Sequence, residues 1–281
     1  MKLSLPVTAF VAMIALAADS PDAAQRMPDR GTALRAAADA LGMVRWSDIG
    51  NGATVLPGID VINTMEFTGT ARVEDADEAF TAGYHVALGY NPPALRVEIT
   101  RTGTGAGNPP RHAIQTVREN FAWDESEIGA GLVPGHGIAT PAPAALKARL
   151  LQLWTLPYGV VKAALAAGTK TTVSTDSGAT VVTFPLSGQL AGITVKATLD
   201  ANNFVMKVET RPDDPALVSL AAEVEYFNYA DRGEVPTDIK SPGRIIRRQR
   251  GRTVLELDVE TWEANNPYLV FPVPPNVKTA K

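Results

Sequence analysis

Hydrophobic and polar residues alternate along several segments in the second half of the chain. In the last of these, Leu255, Leu257 and Val259 would share one face of a strand, with acidic residues on the other face. The segments are rich in β-branched and aromatic residues, and turn residues such as Ser187-Gly188 and Arg250-Gly251 separate them. The pattern predicts a meander of antiparallel strands at residues 180–186, 193–199, 205–211, 220–229, 239–249 and 253–260.

The first half of the chain shows the same strand pattern with less regular spacing. We predict strands at residues 62–73, 84–88, 95–102 and 112–123, with an acidic segment at 74–78 ending the first of them. The Asn91-Pro92-Pro93 turn separates the second strand from the third. Strands with one apolar face form a sheet that another layer must cover.

Two helices are predicted between these groups of strands, because apolar residues there recur at helical spacing. The first helix carries an apolar stripe that starts at Leu146, while Lys147 and Arg149 lie off the stripe. The second helix begins near Pro157, which a first helical turn tolerates, and it ends at Gly168. Such stripes either fill a core or line a cavity. The predicted ligand contacts are Leu146, Leu150, Leu153, Trp154, Val161 and Leu165.

The N-terminal region predicts export of the protein. Lys2 precedes an apolar run at residues 3–18 that is too short to span a bilayer as an anchor helix and contains Pro6. This pattern is typical of a cleaved signal peptide at residues 1–18, followed by a disordered segment at 19–31. We therefore expect a periplasmic or secreted protein with no membrane span after cleavage. A further helix is predicted from a capping Thr32 to Leu41.

Together these elements predict a mainly β (α+β) fold in one domain, residues 32–281. The predicted sheet is curved and antiparallel and forms an incomplete barrel. The N-terminal helix and the two central helices would cover its concave face.

Composition narrows the possible functions. The 281 residues carry a net charge of −4, which disfavours a nucleic-acid-binding protein, and they include no cysteine, which excludes disulfides and thiolate metal ligands. None of the three histidines, His85, His112 and His136, lies three to five residues from another, as a local zinc pair would. We expect no metal, no cofactor and no catalytic residue, although histidines distant in sequence can still meet in the fold.

Arginines cluster around the turn at Gly251. They could contact an anionic partner, or they could guard a strand edge against self-pairing. Glu256, Asp258 and Glu260 on the next strand could neutralise part of this charge. The predicted anionic contacts are Arg244, Arg247, Arg248 and Arg250.

Several passages of the sequence resemble a family of exported bacterial proteins. That family also occurs as the N-terminal region of metallo-β-lactamase-fold hydrolases, and its architecture is similar to periplasmic lipoprotein carriers of the LolA/LolB type. The chain departs from the family pattern at Tyr158, where a histidine is frequent, and it has no His-x-His-x-Asp-His motif. The resemblance therefore implies the accessory module without the hydrolase. The matching passages are Ala122-Trp123-Asp124, residues 149–164, 192–200 and 226–239, Asn266-Pro267-Tyr268 and residues 271–274.

These observations predict an exported, non-catalytic module that binds a hydrophobic or lipid-like ligand between the sheet and the central helices. An alternative is an interaction module that docks a separately encoded metallo-β-lactamase-fold hydrolase. A third possibility is an enzyme whose histidines or carboxylates come together only in the fold.

Overall fold

The computed structural model describes residues 29–44, 62–75, 78–101, 111–234 and 237–280. The predicted signal peptide at 1–18 and most of the segment predicted to be disordered lie outside these ranges. The helices are α1 (Arg30–Ala40), α2 (Leu146–Thr155), α3 (Pro157–Ala166) and α4 (Pro275–Thr279).

The strands of the first half are β1 (Thr64–Asp75), β2 (Glu78–Tyr90), β3 (Pro93–Arg101), β4 (Arg111–Arg118), β5 (Phe121–Glu125) and β6 (Ala139–Pro141). Those of the second half are β7 (Thr172–Asp176), β8 (Ala179–Pro185), β9 (Ile193–Leu199), β10 (Val205–Pro212), β11 (Ala222–Phe227), β12 (Ala230–Asp231), β13 (Lys240–Ser241), β14 (Arg244–Gln249) and β15 (Arg252–Ala264).

Thirteen of the described strands form one sheet, in the order β6-β5-β4-β3-β2-β1-β15-β14-β11-β10-β9-β8-β7. The last strand, β15, pairs with β1 on one side and β14 on the other, so it joins the two halves of the chain. Within the described residues β6 and β7 are the two edges, and the sheet is not closed into a barrel. The predicted mainly β fold with an open antiparallel sheet is confirmed.

One face of the sheet packs against α1, α2 and α3, and we call it the concave face. The register aligns Phe67, Val86 and Val97 across β1, β2 and β3, and all three are buried in the main core with Leu153 of α2 and Val161 of α3. Burying these side chains is the main source of stability for this layer. The prediction that the N-terminal helix and the two central helices cover this face is confirmed.

Proline separates α2 from α3. Leu156 between them is extended, because the residue before a proline is kept out of the helical region, and Pro157 then starts α3. The two helices are in close contact: a Cβ on Gly159 would collide with the backbone carbonyl of Leu153. Gly168, at φ 57°, follows α3 as predicted.

The start of α1 differs from the prediction. The helix begins at Arg30, and its N-cap is Asp29, whose carboxylate accepts a 2.8 Å hydrogen bond from the backbone N–H of Gly31. Thr32, the predicted cap, instead donates its hydroxyl hydrogen to Asp29. Asp29 lies in the segment predicted to be disordered, and Arg30 and Gly31 belong to the helix.

Three predicted strands also have different bounds. The segment at 239–249 is divided between β13 and β14, because Pro242 has no N–H to donate to the sheet. The segment at 112–123 contains a hairpin turn at Glu119, where φ is +51°. The first predicted strand, 62–73, extends into the acidic segment: β1 ends there at Asp75, which pairs with Glu78, the first residue of β2.

The C-terminal segment covers part of the opposite, convex face. Phe271 packs against Ala87 and Ala94, and a separate cluster joins Val273 and Val277 to Trp123. Strands β2, β3 and β5 are therefore covered by apolar contacts on both faces at this end of the sheet.

Candidate functional site

A small pocket lies on the concave face between the middle of the sheet and the C-terminal end of α2. Its volume is about 50 Å³. Most of its wall is aliphatic or aromatic, and it contains no carboxylate. It is lined by Phe67, Tyr84, Val86, Leu95, Val97, Gln152, Thr155, Leu156, Val224, Tyr226, Ile245, Arg247, Leu255 and Leu257.

None of the six predicted ligand contacts lines this pocket. Leu150, Leu153 and Val161 are buried in the core, where they fill the space between helices and sheet. Leu146, Trp154 and Leu165 are partly buried at the margin of the same core. The stripe therefore packs against the sheet as the periodicity indicates, and a different side of α2, with Gln152 and Thr155, faces the pocket.

A wider groove of about 570 Å³ runs along the outer side of α2 and α3. Leu150 and Trp154 contribute to its wall, together with Ala163, Lys170 and the segment from Pro185 to Leu190. Its lining mixes apolar and polar groups, including Glu119, so it lacks the apolar character of the smaller pocket.

Arg149 fixes α2 to the edge of the sheet. Its guanidinium donates to the carbonyl oxygens of Thr116 (3.0 Å) and Trp123 (2.6 Å) and to the carboxylate of Asp124. The residue is buried, although its position off the apolar stripe predicts exposure. The N-terminal half of α2 is therefore held by polar bonds as well as by packing.

Two tyrosines hold the junction of α2 and α3. Tyr226 of β11 donates its hydroxyl hydrogen to the carbonyl of Thr155 at 2.6 Å. Tyr158, fully buried, donates to the carbonyl of Lys240. Tyr158 is thus a buried side chain with a structural hydrogen bond.

The four arginines predicted as anionic contacts do not form one surface. Arg244 faces Glu256 (3.2 Å) and Asp258 (3.8 Å), so the predicted neutralisation by the next strand occurs there. Arg248 faces two glutamates on β11, Glu223 at 3.3 Å and Glu225. Arg250 is exposed in the turn after β14.

Arg247 lies on the concave face instead, in the wall of the pocket. The register places it between Val224 of β11 and Leu255 of β15. Its Nε is inaccessible to solvent and has no hydrogen-bond partner, although the residue as a whole is partly exposed. Burial lowers the pKa of its guanidinium, and burial also raises the pKa of nearby Tyr84 to about 12.

Two of the three histidines join a network of carboxylates on the convex face. His85 lies between Glu66 (Nε2–Oε1, 2.7 Å) and Glu98 (Nδ1–Oε1, 3.1 Å), and His112 is 4.0 Å from Glu98. The close contact with Glu98 is the largest of the effects that raise the pKa of His85. His136 is remote from them, beside Glu127. Over the described ranges, no group of three or more histidine and carboxylate side chains could hold a metal ion.

Comparisons with known proteins return similar structures but no sequence family. No protein-family model matches the chain, and no curated protein matches it. One similar structure is a domain described as that of an outer-membrane lipoprotein-sorting protein from Vibrio parahaemolyticus, with a TM-score of 0.47 and 11% identity over 83% of this chain and 92% of that chain. Another is a DUF1329 family protein from Desulfovibrio piger, with a TM-score of 0.47 and 6% identity over 84% of this chain and 93% of that chain.

The predicted relationship to metallo-β-lactamase-fold hydrolases is not tested by these comparisons, and docking of such a hydrolase stays a prediction. Among the described helices, none is both long and apolar enough to cross a membrane.

Proposed function

We propose that this protein is an exported, non-catalytic binder of a hydrophobic, lipid-like ligand. The ligand's apolar chain lies on the concave face of the sheet, beside the C-terminal end of α2. The observation that carries the proposal is the apolar pocket between α2 and the middle of the sheet, on the face that the helices partly cover.

The pocket is too small to enclose a whole lipid chain, so binding must also use the surface beside it. A volume of about 50 Å³ corresponds to one or two water molecules, so an acyl chain fits only partly without movement. Beyond the end of α2, however, partly buried apolar side chains continue the surface on the same face, among them Val73, Ile99 and Leu255. A chain lying along this strip, with one end in the pocket, buries apolar area on both partners.

The chemistry of the pocket supports a binding role rather than a catalytic one. Its polar side chains are those of Gln152, Arg247, Thr155 and two tyrosines. Tyr226 is already engaged with the backbone of Thr155. The histidine–carboxylate network, which could exchange protons, lies on the other face of the sheet.

Displacement of a neutral fluorescent apolar probe by lipid-like compounds tests the proposal. We expect the protein to bind the probe and Val224→Phe to weaken binding at least about tenfold, because the larger ring fills the pocket. The control Val218→Phe, at an exposed position, should bind as the wild type does. Circular dichroism and thermal unfolding verify that both variants are folded. Absence of probe binding by the wild type, or undiminished binding by folded Val224→Phe, would contradict the proposal.

A further inference from the structure

The geometry points to a specific class of ligand: we propose that Arg247 binds the negatively charged head group of a single-chain amphiphile whose apolar chain occupies the adjoining pocket. This inference rests on the proposed function and extends it. The proposed function requires only an apolar ligand, whereas the inference adds a charge and assigns the residue that recognises it.

The position of Arg247 follows from strand geometry. Successive side chains of β14 point to opposite faces, so Arg244 and Arg248 lie on the convex face with their glutamates. Ile245 and Arg247 point to the concave face, where Ile245 is buried and both line the pocket. The strand thus carries one cation into a pocket whose other lining side chains are uncharged.

The guanidinium of Arg247 is also unusual in having no partner. Its Nε is buried without a hydrogen-bond partner, and no carboxylate among the described residues is found to act on it. Arg96, Arg118 and Arg232 likewise have a buried Nε without a hydrogen-bond partner, but each has another polar contact. Arg96 faces Glu98, Arg118 donates to the carbonyl of Phe271, and Arg232 donates to that of Asn228.

A negatively charged ligand would supply the missing acceptors. Burying part of a cation without an acceptor costs free energy, and a carboxylate or phosphate can accept two hydrogen bonds from the guanidinium fork. Tyr84 lines the same pocket, and a tyrosine is protonated at neutral pH, so its hydroxyl is a second available donor. No aspartate or glutamate lines the pocket to repel a negative group.

A series of ligands with the same twelve-carbon chain and different head groups tests this assignment. Laurate, dodecyl phosphate, dodecanol and dodecyltrimethylammonium are compared as competitors of the neutral probe, below micelle-forming concentrations and at about pH 8, where the carboxylate is ionised. We expect the two anions to bind about tenfold or more tightly than dodecanol, and the ammonium to bind most weakly. The ratio of laurate to dodecyl phosphate affinity distinguishes a fatty acid from a phosphate-bearing lipid.

Two variants identify the residue responsible. In Arg247→Gln the preference for both anions over dodecanol, measured on the same variant, should disappear. The matched control Arg248→Gln removes the same charge from the neighbouring residue on the other face, and it should preserve the head-group ranking. Circular dichroism checks that both variants fold, and the head-group series on the wild type needs no variant at all.

The outcomes separate the inference from the proposed function. Equal binding of laurate and dodecanol by the wild type, or an unchanged ranking in folded Arg247→Gln, overturns the role of Arg247 while leaving the hydrophobic site intact. Failure of every member of the series to bind overturns both.

Discussion

The two faces of β14 and its neighbouring strands differ in how their charged side chains are paired and solvated. On the convex face, Arg248 and Lys207 both contact Glu223, at 3.3 and 2.8 Å, in a network that remains partly exposed to water. On the concave face, Arg247 lies between Val224 and Leu255 without such a partner among the described residues. One strand thus carries both paired, solvated cations and an unpaired, partly desolvated one.

This difference separates charges that are paired and solvated from the charge for which we propose a recognition role. Exposed ion pairs contribute at most about 1 kcal/mol each, because water and salt screen them. A desolvated cation opposes folding unless something compensates for it. We therefore expect substitutions on the concave side to change either stability or binding substantially, and those on the convex side to change stability little.

The largest expected effect is on the packing of α2 against the concave face. Leu153 is fully buried, so Leu153→Ala should lower the free energy of unfolding by about 2–5 kcal/mol through lost burial and the cavity it leaves. Leu146→Ala, the same change at a partly buried position of the same helix, should cost less than half as much. Chemical denaturation measures both. Equal losses would show that the depth of burial along the stripe does not determine how strongly each leucine anchors α2.

The next effect concerns the polar attachment of α2. Arg149→Met should lower the free energy of unfolding by about 2 kcal/mol, because the carbonyl oxygens of Thr116 and Trp123 lose their buried donor. Asp124→Asn removes only the exposed partner of the same arginine and should cost less than about 1 kcal/mol. Denaturant unfolding of the two variants compares these effects. A larger loss of unfolding free energy in Asp124→Asn than in Arg149→Met would mean that the Arg149–Asp124 ion pair, and not the bonds to the carbonyls, attaches α2 to the sheet.

A smaller effect, of the opposite sign, is expected at Arg247. Arg247→Met replaces an unpaired, partly desolvated cation with an apolar side chain, so stability should be unchanged or rise by about 1 kcal/mol. Arg248→Met, which leaves Glu223 and Glu225 without this cation, should lower stability by up to about 1 kcal/mol. Thermal unfolding without added lipid tests the contrast. Marked destabilisation by Arg247→Met would mean that the arginine has a structural role on the concave face.

Much of the fold could be predicted from local patterns, because strand alternation and helical periodicity record which face of each element is buried. The stripe starting at Leu146 gave the correct packing side of α2, and the sheet was expected to be open. Burial of Arg149 was not predictable in this way. It depends on the carbonyls of Thr116 and Trp123, which are 33 and 26 residues away in the chain.

The site was less predictable than the fold. Ligand contacts were expected on the apolar stripe of α2, but close packing fills that interface and leaves space beside Thr155. A signal for Arg247 was nevertheless present, because it is two residues from Ile245 and so shares its face. The arginines are neighbours in the sequence, but successive residues of β14 point to opposite faces, so they do not form one cluster in the fold.

The smallest predicted effect tests the convex face through its pH dependence. The close contact with Glu98 is the largest cause that raises the pKa of His85 above its ordinary value of 6.5. The contribution of His85 to stability is therefore complete below that value and is lost as pH rises through the folded-state pKa. The same contact lowers the pKa of Glu98 below 4.5, so the Glu98 contribution is lost only as pH falls through that lowered value.

His85→Gln should therefore cost most stability at about pH 5.5 and less at about pH 8.5, and never more than about 1 kcal/mol, because the network is partly exposed. Urea unfolding at the two pH values measures the difference. His136→Gln is the matched control, since this exposed histidine is 3.7 Å from Glu127, and we expect it to leave the pH dependence unchanged. A cost of His85→Gln that grows with pH would mean that the neutral imidazole, acting only as a hydrogen-bonding bridge between β1 and β3, is the stabilising form.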